Sequence, residues 1–115
     1  MLTIYHNPRC SKSRQTLALI EENNQEVSVV EYLKTPLTKE VIEQLLALLV
    51  LSPREMMRTK ESEYSEQNLA KADDATLIAA MVSTPKLIER PIVSDGKNAI
   101  IGRPPENVLS LINNK

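Results

Sequence analysis

The sequence is poor in cysteine, histidine, glycine and aromatic residues: one cysteine, one histidine, two glycines and three tyrosines occur, with no tryptophan or phenylalanine. A single cysteine cannot form a disulfide within the chain, which favours the reducing cytoplasm as its compartment. A structural zinc site needs about four ligands, more than one cysteine and one histidine supply. No metal is therefore expected.

Neither sign of charge is in excess, because the sequence has 14 Lys and Arg residues and 15 Asp and Glu residues. Without a basic surplus, and with few aromatic side chains for base stacking, nucleic acid is not an expected partner. No apolar run approaches the roughly 18 residues of a membrane span, and "MLTIYHNPR" lacks the parts of a signal peptide. We expect a cytoplasmic protein without a membrane partner.

The chain begins with a strand, a helix and a second strand. "LTIY" predicts a short buried strand that ends before Pro8, and a helix is expected from Ser11 until "NN" at 23–24. "EVSVVEYL" at 26–33 is rich in valine and predicts the second strand. Two strands joined by a helix should be parallel, with a right-handed crossover.

The middle of the chain is predicted to be helical. Thr38 can cap a helix that runs to Leu49, and "SPRE" at 52–55 has capping-box spacing with proline at the first helical position. That second helix should carry Met56, Met57 and Arg58. "TKESEYSEQNLAKAD" predicts a polar surface segment with a short helical turn, and "DATLIAAMVST" a further helix.

The end of the chain predicts a hairpin and a last helix. "RPIVSDGKNAIIG" places two apolar runs around Asp-Gly, a strong hairpin pattern. "RPPENVLSLI" follows as a helix with Val108, Leu111 and Ile112 facing inward. The whole pattern predicts one α/β domain over residues 1–115, a four-stranded mixed sheet with helices on its faces, which is the plan of thioredoxin-like domains.

Cys10 falls in the turn between the first strand and the first helix. Sites in open α/β sheets lie at the carboxyl ends of strands, and the amino end of a helix favours negative charge. Arg9, Lys12 and Arg14 add positive charge to the same turn. These surroundings should lower the pKa of the thiol and attract a tetrahedral oxyanion. A structural, buried cysteine is the alternative, but an inert thiol does not need three cations beside it.

The spacing Cys10-Ser11-Lys12-Ser13 places serine where a second cysteine would resolve a mixed disulfide. The Ser13 hydroxyl can donate a hydrogen bond to a thiolate, but it cannot displace a sulfur. A redox cycle through Cys10 therefore needs an external thiol, such as glutathione or a glutaredoxin.

Four motifs occur in order along almost the whole chain: "YHNPRCSKSR", "REMMR", "RPIV" and "GRPPE". Together they resemble the glutaredoxin-coupled arsenate reductases of the ArsC family. The resemblance implies a thioredoxin-like fold with a helical insertion. It also implies reduction of arsenate to arsenite through a Cys10 thiolate adduct, which glutathione and glutaredoxin resolve. Glutathione would be a co-substrate, no cofactor would be bound, and a monomer is expected.

The resemblance also implies roles for individual residues. Cys10 corresponds to the nucleophile, and three arginines correspond to those that hold the oxyanion: Arg58, Arg90 and Arg103. The active-site loop of the family covers His6, Asn7 and Ser13, and the Arg90–Pro91 peptide bond should be cis beside Cys10. For a lone arginine, a solvated surface position or an ion pair is the ordinary alternative. His6 is expected to be a hydrogen-bonding residue rather than a general acid or base.

Two other functions fit parts of the pattern. The Spx transcription regulators resemble the same family and bind RNA polymerase, although many carry a Cys-x-x-Cys switch that Ser13 interrupts here. A general glutathione-dependent thiol oxidoreductase would use the same cysteine. Such an enzyme would not need three convergent arginines.

Overall fold

The computed structural model describes residues 2–113, which group into two compact units. The sheet unit consists of the chain up to Thr35 and from Arg90 onward, and the helical unit is Pro36–Glu89. One domain over residues 1–115 stays a prediction. In chain order the helices and strands are β1 (Leu2–Tyr5), α1 (Ser11–Glu22), β2 (Val27–Val30), α2 (Lys39–Leu49), α3 (Ser62–Glu66), α4 (Asp74–Ser83), β3 (Ile92–Ser94), β4 (Ala99–Ile101) and α5 (Leu109–Asn113).

The sheet unit contains a mixed sheet with the strand order β2-β1-β3-β4. β1 and β2 are parallel, with Leu2 opposite Val27, whereas β3 is antiparallel to both β1 and β4. Side chains alternate along β1, so that Leu2 and Ile4 are fully buried. This arrangement confirms the predicted four-stranded, thioredoxin-like fold.

The core of this unit is formed by the sheet, α1 and the C-terminal helical segment. The apolar period of that segment buries Val108, Leu111 and Ile112, as predicted, against Ile20 of α1 and Val93 of β3. The segment begins as a 3-10 helix at Pro105–Val108 and continues as α5. This helical segment therefore covers one side of the core of the sheet unit.

The predicted hairpin joins β3 and β4 through a tight loop. The Asp95 carboxylate accepts hydrogen bonds from the backbone N–H groups of Lys97 at 2.8 Å and Asn98 at 2.7 Å. Gly96 has a φ of 94°, which L side chains rarely adopt. The Asp-Gly pair therefore forms the turn for the reason that the sequence indicated.

The helical unit carries the predicted insertion. The Thr38 hydroxyl caps α2 by accepting from the Val41 backbone N–H at 3.2 Å, and α2 packs on α4. The Ser52 backbone N–H donates to the Glu55 carboxylate at 2.9 Å, as the capping box predicted. The caps that the sequence predicted for this part of the chain are therefore present.

The helix predicted after Ser52 is shorter than expected. It is a single 3-10 turn, Pro53–Met56, and Met57 already has extended backbone angles. Met57 forms an antiparallel bridge with Ile88, and the Arg58 N–H donates to the Leu87 carbonyl at 2.7 Å. Pairing with this distant segment takes the backbone out of the helix, which corrects the placement of Met57 and Arg58 on it.

The polar segment that follows contains α3, the predicted short helical turn, and a 3-10 turn at Leu69–Lys71. The Arg54 guanidinium donates to the Tyr64 hydroxyl at 3.1 Å and to the carbonyls of Leu69 at 3.2 Å and Ala72 at 2.9 Å. One side chain thus connects both turns. No local pattern in the sequence indicated these contacts.

Candidate active site

Cys10 occupies the N-cap of α1, at the end of the loop that leaves β1. Its backbone N–H donates to the Asn7 carbonyl at 3.0 Å, and its carbonyl accepts from the Arg14 N–H at 3.0 Å. Its φ of −95° and ψ of 124° are extended, as N-cap residues require. The prediction that Cys10 sits between a strand end and a helix start is therefore confirmed, and its side chain is buried.

The sulfur is surrounded by hydrogen-bond donors. Arg103 Nη2 lies 3.7 Å from Cys10 Sγ. Burial raises the pKa of the Cys10 thiol, but donation from the Ser13 backbone N–H and the Arg90 guanidinium, with a smaller contribution from the Lys12 backbone N–H, lowers it by more. The net pKa lies below its ordinary value, which favours the thiolate, the nucleophilic form of cysteine.

The two arginines of this site are connected to each other through backbone contacts. Arg103 Nε donates to the Arg90 carbonyl at 2.8 Å, and the Gly102 N–H donates to the Pro91 carbonyl at 2.9 Å. The Arg90–Pro91 bond is cis, as the resemblance implied. The segments around β3 and β4 thus bring together guanidinium groups that stand 13 residues apart.

The buried polar pair His6 and Ser13 supports the loop from inside. His6 Nδ1 lies 2.7 Å from Ser13 Oγ, and the Asn7 backbone N–H donates to the same oxygen at 3.0 Å. The pKa of His6 is lowered, mainly by burial, with Glu31 raising it and Arg14 lowering it. His6 is therefore neutral near pH 7, consistent with the hydrogen-bonding role expected for it.

The structure differs from the expected contact of Ser13. Its hydroxyl is engaged with His6 and Asn7, and it is the backbone N–H of Ser13 that acts on the sulfur. The helix start explains the change, because the first N–H groups of α1 have no partner within the helix. The hydroxyl of Ser13 instead helps to hold the loop between β1 and α1.

The cations adjacent in sequence act differently from what their spacing suggested. Arg9, Lys12 and Arg14 are exposed, and Arg14 Nη1 donates to the Pro8 carbonyl at 3.0 Å. The side-chain charge that lowers the pKa of Cys10 belongs instead to Arg90, which is distant in sequence. Arg14 helps to hold the loop.

Arg58 belongs to the helical unit, where it pairs with carboxylates. Its Nη1 forms an ion pair with Glu61, and its Nε lies 4.0 Å from a Glu89 oxygen. The assignment of Arg58 to an oxyanion stays a prediction. Sequence reasoning overlooked Glu61, although its spacing of three residues from Arg58 is the spacing of a helical ion pair.

Gly102 is a second residue that the sequence did not single out. A Cβ atom at this position would lie 2.6 Å from Thr16 Oγ1 and 2.9 Å from Pro91 Cγ, closer than such atoms approach. Thr16 is completely buried on α1. Only glycine therefore lets the segment carrying Arg103 lie this close to α1. The position of this glycine directly before Arg103 is the sequence feature that could have indicated its role.

Within residues 2–113, no group of three or more His, Cys, Asp or Glu side chains is arranged to hold a metal ion. A membrane-spanning helix is not found among these residues either. The chemistry that the site itself offers is that of an ionised sulfur beside guanidinium donors. Such a site suits an electrophile that carries negatively charged oxygens.

Comparison with known proteins supports this picture. The model of the ArsC family matches residues 5–111. YfgD, an uncharacterized protein of Escherichia coli, is 54% identical over 95% of this chain and 94% of its own length. An arsenate reductase of Haemophilus influenzae is 43% identical over 95% of this chain and 97% of its own. The structure of an arsenate reductase from Vibrio cholerae superposes with a TM-score of 0.92 at 49% identity, covering 95% of both chains.

Proposed function

The chain belongs to the ArsC family, and on this premise we propose that it is an arsenate reductase that uses Cys10 as its nucleophile. The single observation that carries the proposal is the contact of Arg103 Nη2 with the buried Cys10 sulfur at 3.7 Å. The lowered pKa of the Cys10 thiol agrees with it. The names of the compared relatives from Haemophilus influenzae and Vibrio cholerae supply the substrate.

The first step is attack of the Cys10 thiolate on arsenic. An arsenic–sulfur bond forms, and one arsenate oxygen leaves as water after taking up protons. Arg90 and Arg103 stabilise the negative charge on the remaining oxygens, because preorganised guanidinium groups act without reorganisation cost at the moment of reaction. Arg58 is proposed as the third ligand of the oxyanion.

The second step needs an external reductant. Ser13 stands where a resolving cysteine would be, and Cys10 is the only cysteine of the chain. We assign this role to glutathione, which attacks the adduct, and to a glutaredoxin, which removes the glutathionyl group as a mixed disulfide. The two thiols thereby give up two electrons and leave as a disulfide, which reduces arsenic(V) to arsenic(III) while it is still bound to Cys10. Water then cleaves the arsenic–sulfur bond, which releases arsenite and regenerates the Cys10 thiol. No bound cofactor is required, and the reducing cytoplasm supplies both thiols to a monomeric enzyme.

A coupled assay tests the proposal. Arsenate-dependent consumption of NADPH is measured with glutathione, glutaredoxin and glutathione reductase present, and each thiol component is left out in turn. Turnover should require both, and Cys10→Ser should abolish it. Arg103→Ala should lower kcat/KM by roughly 100-fold, whereas Lys97→Ala, which removes an exposed cation from the hairpin loop, should change nothing.

Two results would contradict the proposal. One is arsenate turnover that survives in Cys10→Ser. The other is a wild-type protein that reduces a glutathione mixed disulfide but never arsenate, and keeps that activity in Arg90→Ala and Arg103→Ala. The second result would identify a general thiol oxidoreductase.

A further inference from the structure

The Arg58 side chain lies between two carboxylates of its own unit. Glu61 forms an ion pair with Nη1, and a Glu89 oxygen lies 4.0 Å from Nε. The side chains of Arg58 and Glu61 are only 23% and 18% exposed. Their attraction is therefore screened by water less than that of an ordinary surface pair.

This geometry conflicts with bidentate binding of a further anion. A guanidinium group grips an oxyanion through two neighbouring N–H groups, either Nη1 with Nη2 or Nε with Nη2. Glu61 occupies the first of these edges at Nη1, and Glu89 faces the second at Nε. An oxyanion gains a two-point contact with Arg58 only when one carboxylate moves away.

Glu61 has a second cation within reach. Its other carboxylate oxygen lies 3.7 Å from Lys86 Nζ, and the Lys86 side chain is 54% exposed. The Glu61 backbone N–H donates to the Arg58 carbonyl at 3.1 Å, which fixes the backbone at this point. Rotation of the Glu61 side chain alone can therefore transfer the carboxylate from Arg58 to Lys86.

We propose that Glu61 is an internal competitor for the oxyanion: its carboxylate occupies Arg58 in the free protein, and the incoming substrate displaces it onto Lys86. The inference rests on the proposed function in one respect, that Arg58 is an oxyanion ligand. Glu61 then determines substrate affinity and selectivity. A doubly charged oxyanion displaces a singly charged carboxylate more readily than a singly charged ion does.

Glu61→Gln tests the competition, because glutamine keeps the size and hydrogen-bonding capacity of the side chain but removes its charge. The KM for arsenate should fall about five-fold, the equilibrium effect of one weak ion pair. The matched control is Glu66→Gln. Glu66 is an exposed glutamate of α3 outside the ion pairs that Arg58 and Lys86 form with their neighbouring glutamates, so the KM of this variant should stay at the wild-type value.

A double-mutant cycle shows whether the effect passes through Arg58. The gain from Glu61→Gln should disappear in an Arg58→Ala background. Binding without chemistry is measured by calorimetric titration of arsenate into Cys10→Ser proteins that carry the same changes. Thermal unfolding of every variant confirms that each is folded.

The outcomes separate the inference from the proposed function. If Arg58→Ala leaves arsenate binding unchanged, Arg58 is not a ligand, and the inference is overturned together with that part of the proposed function. If Arg58→Ala weakens binding but Glu61→Gln leaves it unchanged or weaker, Glu61 instead positions Arg58, and only the inference is overturned. Stronger binding in Glu61→Gln that persists without Arg58 also overturns it.

Discussion

The reactivity of Cys10 depends on which atoms of its neighbours face the sulfur. Burial alone would raise the pKa of this thiol, and the net lowering comes from backbone N–H groups at the start of α1 and from Arg90. The Ser13 hydroxyl, the group that the Cys-x-x-Ser spacing suggested, is turned toward His6 and Asn7. A hydrogen bond from the Ser13 backbone N–H persists when the side chain is replaced, whereas one from the Ser13 hydroxyl does not. An experiment can therefore separate the two donors.

Ser13→Ala and Arg90→Ala should therefore act on different properties. Ser13→Ala removes the acceptor of the Asn7 N–H and should cost about 1–3 kcal/mol of unfolding free energy. Arg90→Ala should raise the pKa of Cys10, and Ser13→Ala should shift that pKa less. Ultraviolet absorbance of the thiolate, titrated against pH, gives the pKa, and denaturant unfolding gives the stability. A larger pKa shift in Ser13→Ala would restore the hydroxyl as the dominant donor.

At the scale of elements, the site depends on a close approach between α1 and the segment after β4. Thr16 Oγ1 donates to the Lys12 carbonyl at 2.8 Å and lies 3.5 Å from the Gly102 carbonyl. A methyl group at position 102 would collide with this buried threonine and with Pro91. Arg103 follows directly in the chain, so any displacement moves its guanidinium group relative to the Cys10 sulfur.

Gly102→Ala should consequently lower both stability and activity. We expect a loss of about 1–3 kcal/mol from overpacking and a fall in kcat/KM, measured by denaturant unfolding and the coupled assay. Gly96→Ala is the matched control: nothing lies within 4 Å of the added Cβ there, although φ is positive. It should cost stability through backbone strain alone and leave kcat/KM unchanged. Partial rescue of Gly102→Ala by Thr16→Ala would identify the collision; equal activity losses in both glycine variants would refute it.

Local pattern was sufficient to predict most elements. The short strand "LTIY", the Thr38 cap and the Asp95–Gly96 turn depend on a few neighbouring residues, and each was found where expected. The helix after Ser52 was predicted too long, because the backbone at Met57 pairs with Ile88. A tertiary bridge overrides local propensity there, and no local pattern reveals its partner.

At the scale of the whole molecule, the same distinction between local and distant contacts separates the parts of the site that could be predicted from those that could not. Cys10 was identifiable from the strand–turn–helix context, and Arg90 and Arg103 from resemblance to a family. The charge at the sulfur was attributed to the wrong cations, because Arg90 reaches Cys10 only through the folded sheet. The carboxylates around Arg58 were overlooked for a similar reason, since Glu89 approaches from the far end of the helical unit's sequence. Contacts between residues that are far apart in the sequence become visible only in the folded structure.

The lowered pKa of Cys10 must also appear in the stability of the whole protein. An unfolded cysteine titrates near pH 8.5, whereas the folded thiol loses its proton at lower pH. Between these two pKa values the unfolded chain binds one more proton than the native protein, so the unfolding free energy rises with pH. The contribution is complete above about pH 8.5 and is lost as pH falls through the folded pKa.

Cys10→Ser isolates this contribution, because serine does not titrate in the same range and all other groups are shared. His6, whose pKa is also lowered, makes stability rise with pH below about 6.5, and it does so in both proteins. The wild-type minus Cys10→Ser difference, from denaturant unfolding under reducing conditions, should therefore increase only within the Cys10 window. Its slope cannot exceed about 1.4 kcal/mol per pH unit for one proton. A difference that is flat up to pH 8.5 would mean that the native thiol titrates normally, and the site would then lack the ionised sulfur on which its chemistry depends.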